Sequence, residues 1–393
     1  MRTGFLFHIA CLVALCICPC TGMAQDTVAH NRSLQQLRFS GQFSGWMQYT
    51  PDVQMDFASG GRYLPQINYR IPFKNKRLLD FEASAHLHGT LSARLFDSTR
   101  FDGKIKEYRL WARYSNHRLE VRAGLQKINF GSAQMLRPLM WFDRIDPRDP
   151  LQLTNGVWGL LGRYYFNNNA NIWFWSLYGN DDPKGYEAIP TLKKIPEAGG
   201  RIQLPVPGGE AAATYHYRVT DPAQLFPPGV PLPHDRIGEH KVAFDIKANV
   251  VVGLWLEASW SRFNRSLGVF TNQEMITAGT DYTFKVGNGL VTTFEQFIYS
   301  YDQNAFEFAH NTTFSALSLL YPINAFDSMS AITYYNWTDN KGYFFVTWQK
   351  QLNRLSCYVM GYWNPKVYSL PGQGSNGNRF AGKGIQVMVV WNH

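Results

Sequence analysis

The chain has 393 residues, 38 Lys and Arg against 29 Asp and Glu, and a formal net charge of +9. Aromatic residues reach 15% while only 17% of residues are charged, and mean hydropathy is −0.27. A soluble enzyme would carry about a quarter charged residues. A helical membrane protein would show apolar runs of about 18 residues, and none follows the first 24, so a wall alternating oily and wet residues fits best.

The opening residues read as an export leader. Arg2 is the basic start, "FLFHIACLVALCIC" the apolar core, and "TGMA" the small-residue end, with cleavage expected after Ala24. Cys11, Cys16, Cys18 and Cys20 lie inside this signal peptide (1–24); Cys16, Cys18 and Cys20 follow Leu15, Ile17 and Pro19 rather than the small residue that lipidation needs, and Cys11 comes too early in the core. Only Cys357 remains, which excludes an intrachain disulfide. A short segment, 25–36, precedes a single domain over 37–393.

From Leu37 the period is two. Leu37, Phe39, Gly41, Phe43, Gly45, Met47 and Tyr49 alternate with Arg38, Ser40, Gln42, Ser44, Trp46 and Gln48. Ile67, Tyr69 and Ile71 alternate with Gln66, Asn68 and Arg70. In "LDFEASAHLHGTL", 79–91, every odd position is apolar or small, and the even positions are Asp80, Glu82, Ser84, His86, His88 and Thr90. Tyr108, Leu110, Ala112 and Tyr114 oppose Glu107, Arg109, Trp111 and Arg113; Val121, Ala123 and Leu125 oppose Glu120, Arg122 and Gln126. Strict alternation places side chains on opposite faces of a strand. Later strands are noisier: "NIWFWSLYGN", 171–180, is apolar on both faces, and 289–300 mixes Thr293 and Glu295 with Phe297 and Tyr299.

The pattern predicts an all-β, transmembrane antiparallel β-barrel of about 18 strands, 16 being the other even number in range. Connections after odd strands are long: 50–61, 92–104, 131–156, 180–196, 219–237, 264–273, 302–311 and 365–379, with a tight exception at 338–342. Those after even strands are short. Short periplasmic turns and long outer loops are the asymmetry of bacterial outer-membrane barrels, and closure is required because lipid offers no backbone partners. Too few residues precede Leu37 to form a plug.

Parity turns Arg38, Arg62, Arg70, Arg109, Arg113, Arg122, Arg163 and Arg201 inward against Asp80, Glu82, Glu107 and Glu120. The first half of the wall is therefore expected to be net basic, favouring anions unless those acids neutralise it. His86 and His88 share a face, as a metal pair would, but no third ligand is fixed by spacing. Lumen-lining polarity is the simpler reading, with no metal and no cofactor expected. A wall-embedded lipid hydrolase would need a Ser–His pair on the lipid side, opposite to these imidazoles.

The longest connection carries "LMWFDRIDPRDP", in which Arg137, Asp143, Arg144, Asp146, Arg148 and Asp149 stand among Pro138, Pro147 and Pro150. Proline blocks ladder pairing, and Met140, Trp141 and Phe142 call for burial. An inward-folded, charged constriction from 131–156 is expected; an ordered surface cap is the alternative. "GLQKINFG" followed by this Pro-Leu…Asp-Pro loop resembles the alginate-export-type family and related outer-membrane porin-like barrels over 124–159. The resemblance implies a diffusion channel for small hydrophilic or anionic solutes, or polysaccharide, with Arg122, Gln126, Arg137, Asp143, Arg144, Asp146 and Arg148 as pore residues.

Expected partners are outer-membrane lipid, small-molecule solutes and the barrel-assembly machinery, which would read the last strand, where Trp391 is followed by Asn392 and His393. No nucleic-acid partner is expected. A second class of reading makes the loops 219–237 and 365–379 a surface for binding a partner.

Overall fold

The computed structural model describes residues 36–51, 56–94, 97–221, 236–367 and 380–393. The expected leader, 1–24, and most of the 25–36 segment lie outside the described residues. Eighteen strands follow in chain order: β1 (Gln36–Tyr49), β2 (Phe57–Phe73), β3 (Arg77–Ala93), β4 (Thr99–Ser115), β5 (Leu119–Gln126), β6 (Val157–Tyr165), β7 (Asn171–Leu177), β8 (Glu197–Val206), β9 (Gly209–Thr220), β10 (Ile237–Asn249), β11 (Gly253–Phe263), β12 (Asn272–Phe284), β13 (Leu290–Asp302), β14 (Asn311–Pro322), β15 (Asp327–Asn336), β16 (Lys341–Gln351), β17 (Leu355–Trp363) and β18 (Lys383–Asn392).

Each strand pairs antiparallel with its sequence neighbours, and β1 pairs with both β2 and β18, so the sheet closes. At the seam Gly41 and His393 exchange backbone hydrogen bonds of 3.0 Å each. Closure removes both edges, which an apolar surround demands. The three-residue turn after β2, 74–76, holds Asn75 and Lys76 at φ 62° and 56°, both in the left-handed region.

Parity holds around the wall. On β1, Ser44, Trp46 and Gln48 are buried while Phe43, Met47 and Tyr49 are exposed. On β18, Gln386, Met388 and Val390 are buried and Ile385, Val387 and Val389 exposed. Exposed aromatics ring both ends: Phe73, Phe284, Phe326 and Trp391 near the short turns, and Trp158, Tyr178, Trp337 and Trp363 near the long loops.

Two local readings of the sequence are corrected. The connections 50–61 and 92–104 are shorter than expected, because β2 begins at Phe57 and β4 at Thr99; the glycines there extend the ladder rather than break it. In β4 the register slips: Ala85 pairs with Glu107 but Ser84 with Arg109. The extra residue is a β-bulge. It turns Tyr108 inward beside His86, their rings 6.2 Å apart, where strict alternation places Tyr108 outside; Glu107, expected inside, still borders the cavity.

The strands that looked apolar on both faces pack against something within the barrel. Trp175 and Leu177 of β7 are fully buried against Ile128, Phe130, Trp141 and Phe142. Phe297 of β13 joins Leu136 in a cluster that extends to Tyr343, Phe345 and Phe380. Their partner is the connection between β5 and β6.

Candidate functional site

Residues 127–156 form a belt around the inside of the barrel. It leaves β5 and packs Ile128, Phe130, Leu139 and Trp141 on β6, β7 and β10; Trp141 Nε1 donates to Ser259 on β11 at 3.1 Å. Its tip is gripped by two wall carboxylates. Glu257 accepts the backbone N–H of Ser132 and, at 2.7 Å, that of Ala133. Glu295 accepts those of Gln134, Met135 and Leu136 at 2.6, 2.9 and 2.6 Å. Gly131, at φ +94°, lets the main chain come this close, since a Cβ there would strike the Glu257 carboxylate.

Beyond the tip the belt crosses to the opposite wall. Arg148 lies over the Phe345 and Phe380 rings at 5.4 and 5.1 Å, Asp149 pairs with Arg62 of β2 at 2.9 Å, and Leu151 packs on Trp46 and Met388. Thr154 returns to β4, where its carbonyl and hydroxyl accept Arg109 N–H bonds at 3.0 and 2.7 Å.

The connection between β7 and β8 also turns inward and backs the belt. Arg144 Nε donates to the Gly185 carbonyl at 3.1 Å. Glu187, without exposure, pairs with Lys184, Arg218 and Lys241 at 3.4, 3.2 and 3.0 Å. Burial raises its carboxyl, but Arg218, Lys184 and Lys241 outweigh this and hold it well below the usual carboxylate range. Asp143 goes the other way. It pairs with Arg137 at 3.6 Å, yet burial exceeds the pull of Arg137 and Lys127 and its carboxyl is pushed up.

The two inward connections cover the inner faces of β6 to β17, where Glu197, Arg218, Glu257 and Glu295 are all at or below 1% exposure. On β2 to β5 many inward side chains, among them Arg62, Glu82, His86, His88 and Trp111, remain half-buried. Free space is concentrated there: a cavity of about 1200 Å³ lies between the belt and β2–β4, lined by Arg62, His86, His88, Lys106 and belt residues 143–150. The space the belt leaves inside the barrel is lopsided, lying against β2–β4.

Most inward arginines of the expected basic wall have acidic partners. Arg113 grips Asp80 through two bonds of 3.0 and 2.6 Å. Arg122 takes Glu120 at 3.0 Å, with Arg163 sharing it at 3.7 Å. Arg201 pairs with Asp245 at 2.5 Å beneath the belt, away from the passage. Arg148 pairs with Asp146 at 2.7 Å. Gln126 is fully buried, donating to the Arg122 and Gly159 carbonyls. Arg38 and Arg70 are exposed at the short-turn end, outside the cavity lining. The belt thus brings Arg137, Asp143, Arg144, Asp146, Arg148 and Asp149 to one cavity, mostly as neutral pairs. Lys104 and Lys106 of β4 also line it; strict alternation read back from Arg113 turns them outward, and the bulge at Tyr108 is what brings them in.

Most of 219–237 and 365–379 lies outside the described residues. Among the described residues no group of three or more His, Cys, Asp or Glu side chains is placed to hold a metal.

No protein-family model and no curated protein sequence matches the chain. Solved structures do. Pseudomonas aeruginosa OccK7 superposes with a TM-score of 0.51 at 10% identity, covering 91% of this chain and 99% of its own. The Vibrio cholerae outer membrane protein OmpT gives 0.51 at 10% identity, covering 91% and 99%. Acinetobacter baumannii OccAB4 gives 0.51 at 9% identity, covering 91% and 98%. At such identities the likeness is one of fold, and the fold is that of an 18-stranded, porin-like closed barrel.

Proposed function

We propose that this chain is an outer-membrane channel through which small hydrophilic solutes diffuse passively, narrowed by the 127–156 belt. One observation carries the reading: the belt leaves one sector of the wall uncovered, and that sector is polar and charged while the outward face is apolar. Exposed aromatics at both barrel ends suit the two interfaces of a bilayer. The fold likeness to bacterial outer-membrane proteins agrees, and so does the leader, which is expected to be removed on export.

Anions are favoured over cations in this reading, by a margin smaller than the arginine count suggests. Arg113, Arg122, Arg148 and Arg201 are offset by acids. Arg109 and Arg144 instead take carbonyl or hydroxyl partners and keep their charge for the passage. The motif at 124–159 extends the proposal to uronate-bearing or other anionic saccharides. The outward imidazoles His240 and His393 lie against the tyrosine hydroxyls of Tyr215 and Tyr63, which gives a lipid hydrolase no nucleophile there.

The test is planar-bilayer conductance together with liposome swelling in neutral sugars, phosphate and uronates. Step-like conductance, with a chloride preference weakened by Arg144→Ala, is expected. A silent bilayer from heat-modifiable, folded barrel would overturn the channel, and cation preference would overturn its sign.

A further inference from the structure

His86 and His88 stand two positions apart on β3 and face inward, their ring centroids 4.9 Å apart and their planes 27° from parallel. The ladder places Arg62 of β2 and Lys104 of β4 opposite His88, and Lys106 of β4 opposite His86. The bulge adds Tyr108 edge-on to His86. Across the cavity the belt presents Asp149, held by Arg62, and Glu82 lies further down β3. These are the charged and titratable groups that face the pair. Nε2 of His86 is buried with no hydrogen-bond partner.

The cavity is lined by nine Lys and Arg and seven Asp and Glu side chains, a surplus of two positive charges while both imidazoles are neutral. Two protons on His86 and His88 would make it four. We propose that these two histidines are selectivity-determining residues of the channel, and that their protonation shifts the passage further toward anions. The inference rests on the channel reading above.

Imidazole is the side chain that charges in the range a cell exterior traverses. Two rings in stacking contact gain their protons in two separated steps, so the response spreads over a wide pH span. A fixed charge in a narrow, low-dielectric passage acts on every ion that passes, so doubling the surplus is felt in permeability rather than in folding.

The experiment measures reversal potentials in a KCl gradient across planar bilayers from about pH 7.5 to about pH 4.5, for the wild-type chain, His86→Gln/His88→Gln and the outward-facing His240→Gln. The wild-type chloride-over-potassium ratio is expected to rise about twofold or more on acidification. The double variant should keep less than half of that rise, and His240→Gln should behave as wild type. An equal rise in the double variant overturns the proposal, as does a wild-type ratio that stays flat. Each single variant is measured too, and should lose part of the rise should the double variant fail to insert. Absence of any wild-type conductance would refute the channel reading instead, so the two failures are distinguishable.

Discussion

Glu295 offers a direct test of the belt. Its carboxylate is fully buried and accepts three backbone N–H groups, with Gln134 on Oε1 and Met135 and Leu136 on Oε2. Glu295→Gln keeps the shape but leaves one oxygen for two positions. Whichever orientation the amide takes, its NH2 points at one or two N–H donors that have lost their acceptor. A hydrogen bond to a charged group contributes about 1.5–3 kcal/mol, and relief from desolvating the carboxylate returns part of what is lost. The net cost to the docked tip is about 3 kcal/mol, or roughly a hundredfold in its local opening equilibrium. Amide hydrogen exchange of 132–136 in detergent should accelerate by about that factor, with noisier and larger single-channel currents. Unchanged exchange in that segment would show that the cradle does not hold the belt.

Other outcomes follow from the same geometry. Glu187→Gln removes the anion that three buried cations share. Since the folded carboxyl is depressed, the wild-type contribution is complete above the ordinary carboxylate range and is lost only as pH falls through the depressed value. Proteolysis within 178–196 should therefore be slow in the wild type down to about pH 4, and fast in the variant already at neutral pH. Gly185 sits at φ +48°, where a Cβ would run into the Met140 carbonyl oxygen; Gly185→Ala should displace this loop and raise conductance, whereas Gly361→Ala on β17, with open space around it and no left-handed φ, should not. Trp175→Ala empties a fully buried site under the belt and should lower barrel stability by about 3–5 kcal/mol, read as a fall in the heat-modifiability midpoint.

The wall was legible because its physics is local. A period of two says which side chains share a face, and the lengths of alternate connections say which end is which. The bulge at Tyr108 escaped because one extra residue inverts the parity of everything before it, and no residue type marks the spot. Trp173, Trp175 and Phe297 blurred the pattern for a physical reason: their inward neighbours are apolar belt residues rather than water. Arg201 and Asp245 meet across β8 to β10, and Arg62 meets Asp149 from the far side of the barrel; neither pairing leaves a trace in spacing. Glu257 and Glu295 were passed over although carboxylates on otherwise apolar inner faces were the available signal. What they hold is main chain, which has no sequence signature.

That last contact has a consequence for how such a passage diversifies. Glu257 and Glu295 hold amide protons that every residue except proline supplies, so the grip is indifferent to the identities at 132–136. Substitutions in that stretch can reshape the gate while its anchorage stays intact. A lineage can retune what passes without first rebuilding the hinge-pin.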